Sequence, residues 1–506
     1  MRLIELMHGA YAQGSMRPAR AGGAQTDARP AEASRGSGDV EISGITANSQ
    51  EVVPGFVFAA LPGRSRDGRA FIGDAVARGA AAVLAPPDTE WPAGVPPRPL
   101  ILDAEPRRRL ALMAASIAGT QPRRIVAVTG TNGKTSTVDF LRQLWTLGGH
   151  PAASLGTLGL IAPGFPQGTG LTTPDPATLA NTMAALATTG VQHAAVEASS
   201  HGLDQFRLDG LRLSAGAFTN LTRDHLDYHG GMDAYRRAKL RLFAELLPRG
   251  APAVAAMALD AETREALARI ADRRGLNFGT VGEGGSLIRL HRAEPRPNGQ
   301  MLDLSVGGRR FEVKLALPGR FQADNALLAA GVILLLGDAA VFDDLPRLVG
   351  VRGRMELAAT LPNGAAAYVD YAHTPDAIVR VLAALRPHTA GKLAIVFGAG
   401  GDRDRGKRPL MAEAAAAGAD HIIVTDDNPR NEDAAAIRAE VMAGAPDATQ
   451  VGGREAAIAA GLGLLGPGDV LVVAGKGHEQ GQIVGRDVLP FDDADVIRRL
   501  VAGLPT

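Results

Sequence analysis

The sequence predicts an α/β protein with three domains and parallel sheets in its central and C-terminal parts. Apolar segments with strand preference alternate with helical segments in two blocks, from about residue 125 to 345 and from about 350 onward. A chain of 506 residues exceeds what one hydrophobic core organises, and roughly 150 residues per domain suggest three domains. We therefore expect a small N-terminal α/β domain at 1–120, a central parallel-sheet domain at 121–348 and a C-terminal α/β domain at 349–506.

The first domain has a mixed pattern of short elements. Strands are predicted at 56–61 and 81–85, and helices at 71–80 and 107–119. Residues 17–39 are rich in Ala, Gly, Arg, Ser and Pro without periodicity, which predicts a flexible surface insertion.

The composition excludes several classes of protein. The absence of cysteine rules out disulfides, thiolate metal sites and thiol nucleophiles, and the zero net charge does not favour a nucleic-acid or anionic-membrane partner. Glu5 and His8 interrupt the apolar N-terminus, so it is not a secretory signal, and the longest apolar stretch, 326–337, is too short to span a bilayer. We expect a soluble, cytoplasmic protein without a membrane span.

The segment IVAVTGTNGKTS at 125–136 is the most informative motif. A strand runs into a loop with two glycines, a lysine and two hydroxyls, and a helical pattern follows. Backbone N–H groups and the start of the helix favour a polyphosphate, and a GKT hydroxyl suits Mg²⁺. Val128 stands where the usual GxxxxGKT loop has its first glycine, so this is a shortened variant; a chance glycine-rich turn is the alternative. The motif predicts binding of ATP or GTP by Gly130, Thr131, Asn132, Gly133, Lys134, Thr135 and Ser136.

Other polar residues follow predicted strands of the central block. Glu197 ends the strand at 194–199, and the loop at 219–230 contains Asp224, His225, Asp227 and His229. Such a loop alone is typical of turn and cap chemistry, but beside a phosphate loop a metal role is favoured. Lys239, judged from its helix alone, reads as a solvated lysine.

Residues 287–317 alternate polar and apolar side chains with glycines between, which predicts an antiparallel hairpin.

Three loops of the C-terminal block suggest recognition of small charged ligands. The segment 398–411, GAGGDRDRGKRPLM, combines glycines with cations and suits an anion, although a charged surface loop is the alternative. DNPR at 427–430 suits a zwitterionic amino-acid group, with a carboxylate at Arg430 and an ammonium at Asp427, or is a plain Asn-Pro turn. GKGHE at 475–479 adds a glycine amide and Glu479.

Taken together, these motifs resemble the Mur ligases, which use ATP to add amino acids to the muramyl peptide of cell-wall precursors. The resemblance runs from about 40 to 503 and rests on TGTNGKTS, EASSHGLDQFRL, TNLTRDHLDYHG, GRFQADNALLA, GVRGRME, YVDYAHTPD, GGDRDRGKRPLM, DNPR and GKGHE in that order. It implies a P-loop central domain and a Rossmann-like C-terminal domain. DNPR resembles the form associated with meso-diaminopimelate; a lysine-adding homologue and a folylpolyglutamate synthetase-like ligase are the alternatives.

The resemblance also implies roles for matching residues. Lys134, Lys239, Glu197 and His225 would be catalytic. Two Mg²⁺ ions would be held by Thr135, Glu197, His225 and Lys239, the last as its carbamate, N6-carboxylysine. ATP, the co-substrate, would also contact Asn325, Arg354, Asp370 and His373. The UDP-muramyl dipeptide would contact Ala47, Ser49, Arg64, Ser65, Arg66, Thr172, Thr173, Ser199, Gln205 and Arg207. The diaminopimelate would contact Arg403, Asp427, Asn428, Pro429, Arg430, Gly475 and Glu479.

The sequence departs from the family most clearly at 48–50, where it reads NSQ in place of DSR. A rival interpretation is a nucleotide-gated binding protein that has lost catalysis, but Lys134, Glu197, His225 and Lys239 are all present. We expect a monomer with no nucleic-acid partner.

Overall fold

The computed structural model describes residues 1–7, 40–63, 66–166, 172–297 and 299–503. The chain forms two compact units. The first comprises Met1–Gly279 and Val332–Gly337, and the second comprises Thr280–Gly331 and Asp338–Thr506. The insertion predicted at 17–39 lies outside the described residues, and so do Arg64 and Ser65.

The first unit begins with a small four-stranded parallel sheet. Its strands, paired in chain order, are β1 (Gly44–Thr46), β2 (Phe56–Ala59), β3 (Ala82–Ala85) and β4 (Leu100–Leu102). Its helices are α1 (Ile72–Ala77) and α2 (Pro106–Ala118), with 3-10 turns at Ser49–Glu51 and Gly68–Phe71. The strands and helices predicted in this part are confirmed.

A larger sheet follows in the same unit. Its strands are β5 (Arg124–Thr129), β6 (Ala152–Gly156), β7 (Gly159–Ile161), β8 (His193–Glu197), β9 (Ala215–Phe218) and β10 (Pro252–Ala256). They lie in the order β10-β9-β5-β8-β6-β7, and only β7 is antiparallel to its neighbour. Its helices are α3 (Lys134–Leu147), α4 (Pro176–Thr188), α5 (Ser200–Asp204), α6 (Leu226–His229), α7 (Met232–Arg241), which continues as a π-helix at Leu242–Leu246, and α8 (Ala261–Arg274).

The middle of this sheet is apolar on both faces. Ile125, Val126, Ala127 and Val128 of β5 are all fully buried. A strand covered on both sides reads as a continuous apolar run, which is why β5 was recognisable from sequence. Polar residues are therefore placed just beyond the carboxyl ends of the strands, where ligands bind in open parallel sheets.

The second unit starts with an antiparallel region. The strand β11 (Asn277–Glu283) enters this unit from the first and is followed by β12 (Ile288–Arg296), β13 (Gly299–Val306) and β14 (Arg309–Leu315). β12 is parallel to β11, and β13 is antiparallel to both of its neighbours, β12 and β14. The antiparallel pairing predicted at 287–317 is confirmed, and it includes all three alternating segments as strands. The helices α9 (Arg320–Leu335) and α10 (Val341–Asp344) and a 3-10 turn at Leu345–Arg347 follow.

The rest of the second unit is a six-stranded sheet with helices on both faces. Its strands lie in the order β15-β16-β20-β17-β18-β19, and all neighbours are parallel except β15 and β16. The strands are β15 (Glu356–Thr360), β16 (Ala366–Asp370), β17 (Leu393–Phe397), β18 (His421–Val424), β19 (Thr449–Gln450) and β20 (Val470–Ala474), and a separate hairpin is formed by β21 (Gly481–Val484) and β22 (Asp487–Pro490). The helices are α11 (Pro375–Leu385), α12 (Lys407–Gly418), α13 (Ala434–Met442), α14 (Arg454–Gly463) and α15 (Asp493–Ala502), with a 3-10 turn at Arg386–His388.

Parallel sheets covered by helices confirm the predicted α/β class. The domain boundaries at 120 and 348 stay a prediction. Within the described ranges, no helix is long and apolar enough to cross a membrane.

Candidate functional site

The phosphate loop leaves the carboxyl end of β5. Gly130 has φ 145° and Gly133 φ 83°, and α3 begins at Lys134. A Cβ on Gly130 would lie 1.8 Å from Thr219 Oγ1, so only glycine fits there. The loop therefore brings backbone N–H groups, a helix N-terminus and Lys134 to one place, as the sequence predicted.

The loop after β9 holds the phosphate loop in shape. Thr131 N donates to Asn220 O at 2.8 Å and Asn132 N to Asn220 Oδ1 at 3.0 Å. Thr219 Oγ1 donates to the Asn132 carbonyl at 2.6 Å. Thr135 and Ser136, at the start of α3, are buried. The loop is thus pre-organised by its neighbour in the sheet.

Two lysines meet at the same backbone carbonyl. Lys134 Nζ lies 3.0 Å from Gly130 O and 2.8 Å from Thr131 O, and Lys239 Nζ lies 2.7 Å from Gly130 O. Lys239 is 1% exposed, in contrast to the solvated lysine that its helix pattern suggested. Burial, with Lys134 as a second cause, holds the pKa of Lys239 well below its ordinary value. Burial therefore disfavours the charged form of this amine.

Tyr235 borders both the phosphate loop and Lys239. Its Oη lies 3.1 Å from Thr131 Oγ1, and Lys239 Nζ lies 4.5 Å from the centre of its ring. Burial raises the pKa of Tyr235 to about 12, so its hydroxyl stays protonated. The sequence analysis did not single out this residue.

Glu197 is buried at the end of β8, with its carboxylate beside the turn after β6. Thr157 N donates to Oε1 at 2.7 Å and Thr157 Oγ1 to Oε2 at 3.3 Å. A Cβ on Gly156 would lie 2.1 Å from Oε1, so this glycine makes room for the carboxylate. The carboxylate keeps acceptor capacity beyond these two bonds, since each oxygen has two lone pairs.

His225 lies in a group of rings at the start of α6. It has a left-handed backbone, with φ 51°, and its Nε2 lies 3.4 Å from Asp224 Oδ2. The ring of His201 lies 4.9 Å from that of His225 and 3.9 Å from that of Tyr228. Among the described residues, no three His, Cys, Asp or Glu side chains are gathered closely enough to hold a metal ion by themselves.

Five of the ten residues assigned to the UDP-muramyl dipeptide are connected by hydrogen bonds in the neighbourhood of Glu197. Thr173 Oγ1 lies 2.8 Å from Glu197 O and 3.0 Å from Ser199 Oγ, and Ser199 Oγ caps α5. Thr172 Oγ1 lies 3.1 Å from Thr157 Oγ1. The structure thus brings Thr172, Thr173 and Ser199 close to the end of β8, where Glu197 lies.

Arg207 and Gln205 extend this group. Arg207 Nη1 donates to Thr173 O at 2.6 Å, and its Nη2 donates to Gln205 Oε1 at 2.8 Å. Gln205 Nε2 in turn donates to Tyr228 Oη at 3.0 Å, which links it to the His225 loop. Burial lowers the pKa of Arg207, although guanidinium stays protonated at neutral pH.

The residues assigned to the uridine end lie apart, in the first sheet. Ser49 is buried in a 3-10 turn whose N-cap is Asn48, with Asn48 Oδ1 accepting from Gln50 N at 3.1 Å. Ala47 and Arg66 are exposed. Asn48 in NSQ therefore has a local capping role here.

Of the residues assigned to ATP in the second unit, Arg354, Asp370 and His373 lie around the end of β16. Asp370 accepts from Met355 N and Ala372 N, both at 2.8 Å. Burial raises the pKa of Asp370, while Arg354 opposes this effect. The Arg354 guanidinium lies 4.8 Å from the centre of the Tyr371 ring, a cation–π contact, and His373 Nδ1 lies 2.8 Å from Tyr371 O. Asn325, in α9, is buried.

The residues assigned to diaminopimelate converge at the carboxyl ends of β18 and β20. Asn428 Nδ2 donates to Glu479 Oε2 at 3.0 Å, and a Cβ on Gly475 would lie 2.7 Å from Asp427 Oδ2. Arg430, at φ 53°, follows Pro429 and donates through Nη1 to Gly401 O at 2.8 Å. Arg403 is exposed, and within the described ranges no hydrogen bond or ion pair involves its side chain.

The cation-rich loop at 398–411 is only partly available to an anion. Arg408 is fully buried against Glu432 and Glu440, and Arg405 also pairs with Glu432. The hydrogen bond from Arg408 brings the pKa of Glu432 to about 2. The prediction that this loop as a whole serves an anion was too broad, since part of its positive charge is neutralised by α13 and the turn before it.

Sequence reasoning missed Thr157 and Lys476. Thr157 follows a strand and could have been found as a hydroxyl at a carboxyl end. Lys476 lies inside GKGHE, but nothing local indicates that its side chain is buried beside Asn428.

Three parts of the chain match models of known protein families. Residues 128–333 match the Mur ligase middle domain, 353–477 match the Mur ligase glutamate ligase domain, and 41–116 match the Mur ligase family catalytic domain.

Curated relatives match nearly the whole chain. A Caulobacter vibrioides protein is 54% identical over 463 residues, covering 90% of this chain and 94% of its own length. A Rhizobium meliloti protein is 50% identical over 467 residues, covering 92% and 95%. Both are named UDP-N-acetylmuramoyl-L-alanyl-D-glutamate–2,6-diaminopimelate ligase.

Solved structures agree in fold. A UDP-N-acetylmuramoyl-L-alanyl-D-glutamate–2,6-diaminopimelate ligase is 33% identical, with a TM-score of 0.69 and coverage of 91% of this chain and 95% of that chain. The MurF ligase of Thermotoga maritima in complex with ADP is 20% identical, with a TM-score of 0.58 and coverage of 92% and 97%, and shows the shared fold. By these matches over almost its full length, the chain belongs to the Mur ligase family.

Proposed function

We propose that this protein is an ATP-dependent ligase that joins meso-2,6-diaminopimelate to UDP-N-acetylmuramoyl-L-alanyl-D-glutamate, a step in the synthesis of peptidoglycan precursors. The observation that carries the proposal is the cluster of Asp427, Asn428, Arg430 and Glu479, which offers both donors and acceptors to a zwitterion. Relatives about half identical to this chain bear the name of that activity.

The first chemical step must activate an inert carboxylate. A γ-carboxylate oxygen of the D-glutamate attacks the γ-phosphorus of ATP, the bond to the β–γ bridging oxygen breaks and ADP leaves, which gives an acyl phosphate that carries a good leaving group. Two anions have to approach each other in this step, and Lys134 with the N–H groups of the phosphate loop offsets their repulsion. Arg207, held by Gln205 and Thr173 O, and the hydroxyls of Thr172, Thr173 and Ser199 position the dipeptide.

The second step forms the amide. The free amine of diaminopimelate attacks the acyl phosphate, and the tetrahedral intermediate expels inorganic phosphate. Asp427, Asn428, Arg430, Gly475 and Glu479, with the exposed Arg403, hold the amino acid so that its amine is presented in one orientation.

Lys239 supports a proposal about its own modification. A lysine reacts with CO₂ only as the neutral amine, and burial beside Lys134 favours that form. The carbamate would place an anion next to Lys134, where the protonated form of Lys239 is disfavoured by burial and by the Lys134 charge. We therefore assign Lys239 as N6-carboxylysine in the working enzyme.

Thr135, Glu197, His225 and carboxylated Lys239 would hold two Mg²⁺ ions, with oxygen ligands from Thr135, Glu197 and the carbamate and a nitrogen ligand from His225. The carbamate would add a carboxylate where, among the described residues, no three His, Cys, Asp or Glu side chains form a metal-binding group. When bound, Mg²⁺ neutralises phosphate charge and draws electron density from the transferred phosphoryl group.

The remaining assignments complete the proposal. Asn325, Arg354, Asp370 and His373 serve ATP, and Ala47, Ser49, Arg64, Ser65 and Arg66 serve the uridine end. The three domains divide at 120 and 348, and the protein acts as a cytoplasmic monomer.

The test is phosphate release from ATP with the UDP-muramyl dipeptide and either meso-diaminopimelate, L-lysine or glutamate. We expect release only when the dipeptide and diaminopimelate are both present, with L-lysine much poorer because it lacks the second carboxylate that Arg430 would bind. Release that does not need an amino acid, or that is best with L-lysine or glutamate, would replace the proposal with one of the related ligases.

A further inference from the structure

Lys476 is a buried cation that the reaction scheme above does not use. It lies in GKGHE directly after Gly475, and its residue exposure is 0%. Its Nζ lies 3.0 Å from Asn428 Oδ1 and 3.2 Å from Glu479 Oε2. Both partners belong to the group assigned to diaminopimelate, so Lys476 lies behind that group.

The contacts of Asn428 determine which way its amide points. Oδ1 accepts from Lys476 Nζ and from Ile483 N at 2.9 Å, and both of these atoms can only donate. Nδ2 donates to the Glu479 carboxylate at 3.0 Å, which in its ionised form can only accept. Exchanging the amide oxygen and nitrogen would place donor against donor and acceptor against acceptor.

This orientation limits what Asn428 can offer to a ligand. Its carbonyl oxygen has two lone pairs, and both are engaged by Lys476 and Ile483. Its amide nitrogen has two hydrogens, and the Glu479 bond uses one of them. The side chain is left with a single donor.

We propose that Lys476 is a positioning residue that holds Asn428 as a hydrogen-bond donor and thereby makes this site read the distal carboxylate of the amino acid. The inference rests on the proposed function and deepens it, because a distal carboxylate is the feature that separates diaminopimelate from L-lysine.

Besides the Asn428 donor, the site contains carboxylate acceptors from Asp427 and Glu479. Asp427 Oδ1 accepts from Asn428 N at 2.7 Å, which leaves Oδ2 facing the space above Gly475. Glu479 uses Oε2 for both Asn428 and Lys476, which leaves Oε1. Two carboxylate oxygens therefore suit the distal ammonium, while Asn428 and Arg430 suit the distal carboxylate.

The β21–β22 hairpin also fixes this site, through hydrogen bonds to Asp427, Asn428 and Arg430. Arg430 N donates to Ile483 O at 3.1 Å, and Gly485 N donates to Arg430 O at 2.7 Å. Gln482 Nε2 donates to Asp427 O at 2.6 Å. These bonds keep Arg430 in its left-handed conformation, which a non-glycine residue seldom adopts without such support.

The principal test is Lys476→Met in the full-length enzyme, with kcat and KM for meso-diaminopimelate and for L-lysine. Methionine nearly matches lysine in length but cannot donate, so the Asn428 amide is free to turn. We expect KM for diaminopimelate to rise roughly 10- to 100-fold, the range for a lost charge-assisted hydrogen bond. KM for ATP should stay unchanged, and the preference for diaminopimelate over L-lysine should fall.

Two companion variants separate positioning from general structural damage. Lys476→Arg keeps a donor and should retain part of the preference, whereas Lys392→Met, at an exposed lysine, should match wild type. In the Asn428→Ala background, Lys476→Met should change the preference little further, because the two residues act through one amide.

A second variant keeps the inference testable if Lys476→Met fails to fold. Asn428→Asp replaces the remaining donor with an acceptor of the same shape, so diaminopimelate should suffer more than L-lysine. An unchanged or improved use of diaminopimelate by Asn428→Asp, or an unchanged preference in folded Lys476→Met, would overturn the inference. Failure of wild type to ligate diaminopimelate would instead refute the proposed function.

Discussion

Two regions differ in whether a buried basic side chain is paired with a carboxylate. They are the phosphate loop and the amino-acid cluster, which is the group assigned to diaminopimelate (Asp427, Asn428, Arg430, Gly475 and Glu479). At the phosphate loop, Lys239 is buried with its amine against the Gly130 carbonyl and the Tyr235 ring, and none of the described carboxylates lies within ion-pairing distance of that amine. Around the amino-acid cluster, the buried Arg408, Arg454 and Lys476 each face a carboxylate. An uncompensated buried charge is costly, whereas a paired one is tolerated.

This difference in charge pairing indicates which region would depend on a bound nucleotide and on a modified lysine. The phosphate loop already has the backbone shape of its site, and ATP and a carbamate would add negative charge there. In the amino-acid cluster the buried charges are already paired and the hydrogen-bond donors are already oriented. This region would therefore determine which amino acid binds. Changes in the first region should therefore affect the rate, and changes in the second should affect specificity or stability.

The largest effect is expected for Lys134→Ala. Removing the cation that, in the proposed reaction, would face the transferred phosphate should cost about 4 kcal/mol of barrier, or roughly a thousandfold in kcat. Steady-state phosphate release measures this, and Lys314→Ala, at an exposed lysine, is the matched control. Near-normal turnover of Lys134→Ala would remove Lys134 from the reaction.

Lys239→Ala should be nearly inactive and partly restored by short carboxylates. Formate or acetate would replace the carbamate in the space vacated by the side chain, whereas chloride at equal ionic strength would not. Activity as a function of added carboxylate, compared between Lys239→Ala and Lys134→Ala, is the measurement. Absence of rescue in the Lys239 variant would count against the carbamate.

In the second region, Arg454→Met should reduce stability. The Arg454–Asp493 pair is bidentate, with both bonds at 2.7 Å and both side chains fully buried, so losing one partner should cost about 3–5 kcal/mol. The exposed pair Arg499–Glu455 provides the control, since Arg499→Met should cost less than about 1 kcal/mol. Denaturant unfolding compares the two; equal effects would mean that burial does not distinguish these pairs.

The smallest effect concerns the pH dependence of stability at Lys239. Its folded-state pKa is lowered, so the folded protein binds fewer protons than the unfolded chain once the pH falls below the ordinary lysine pKa of 10.5. In CO₂-free buffer, wild type should therefore lose stability relative to Lys239→Met as the pH falls from 10.5 to the folded-state pKa, and the difference should be smallest above 10.5.

Bicarbonate sharpens this measurement. It should raise the thermal stability of wild type, because the carbamate places an anion beside Lys134, and it should leave Lys239→Met unchanged. An equal response of both proteins would argue against modification at this residue.

The comparison also explains what could be predicted from sequence. The phosphate loop was predictable because strand, glycines and helix are consecutive, and Glu197 was predictable because it ends a strand. Burial of Lys239 was not, because it depends on contact with a carbonyl 109 residues earlier. The charge of the 398–411 loop was misjudged for a related reason: Glu432 and Glu440, which neutralise Arg408, belong to other segments.

The most direct test of the central claim is transfer of a labelled oxygen. When the γ-carboxylate of the UDP-muramyl dipeptide carries heavy oxygen, an acyl phosphate delivers one labelled atom to the inorganic phosphate, which mass spectrometry detects. We predict labelled phosphate in amounts matching the amide formed with diaminopimelate. Amide formation with unlabelled phosphate would contradict activation of the carboxylate by phosphorylation.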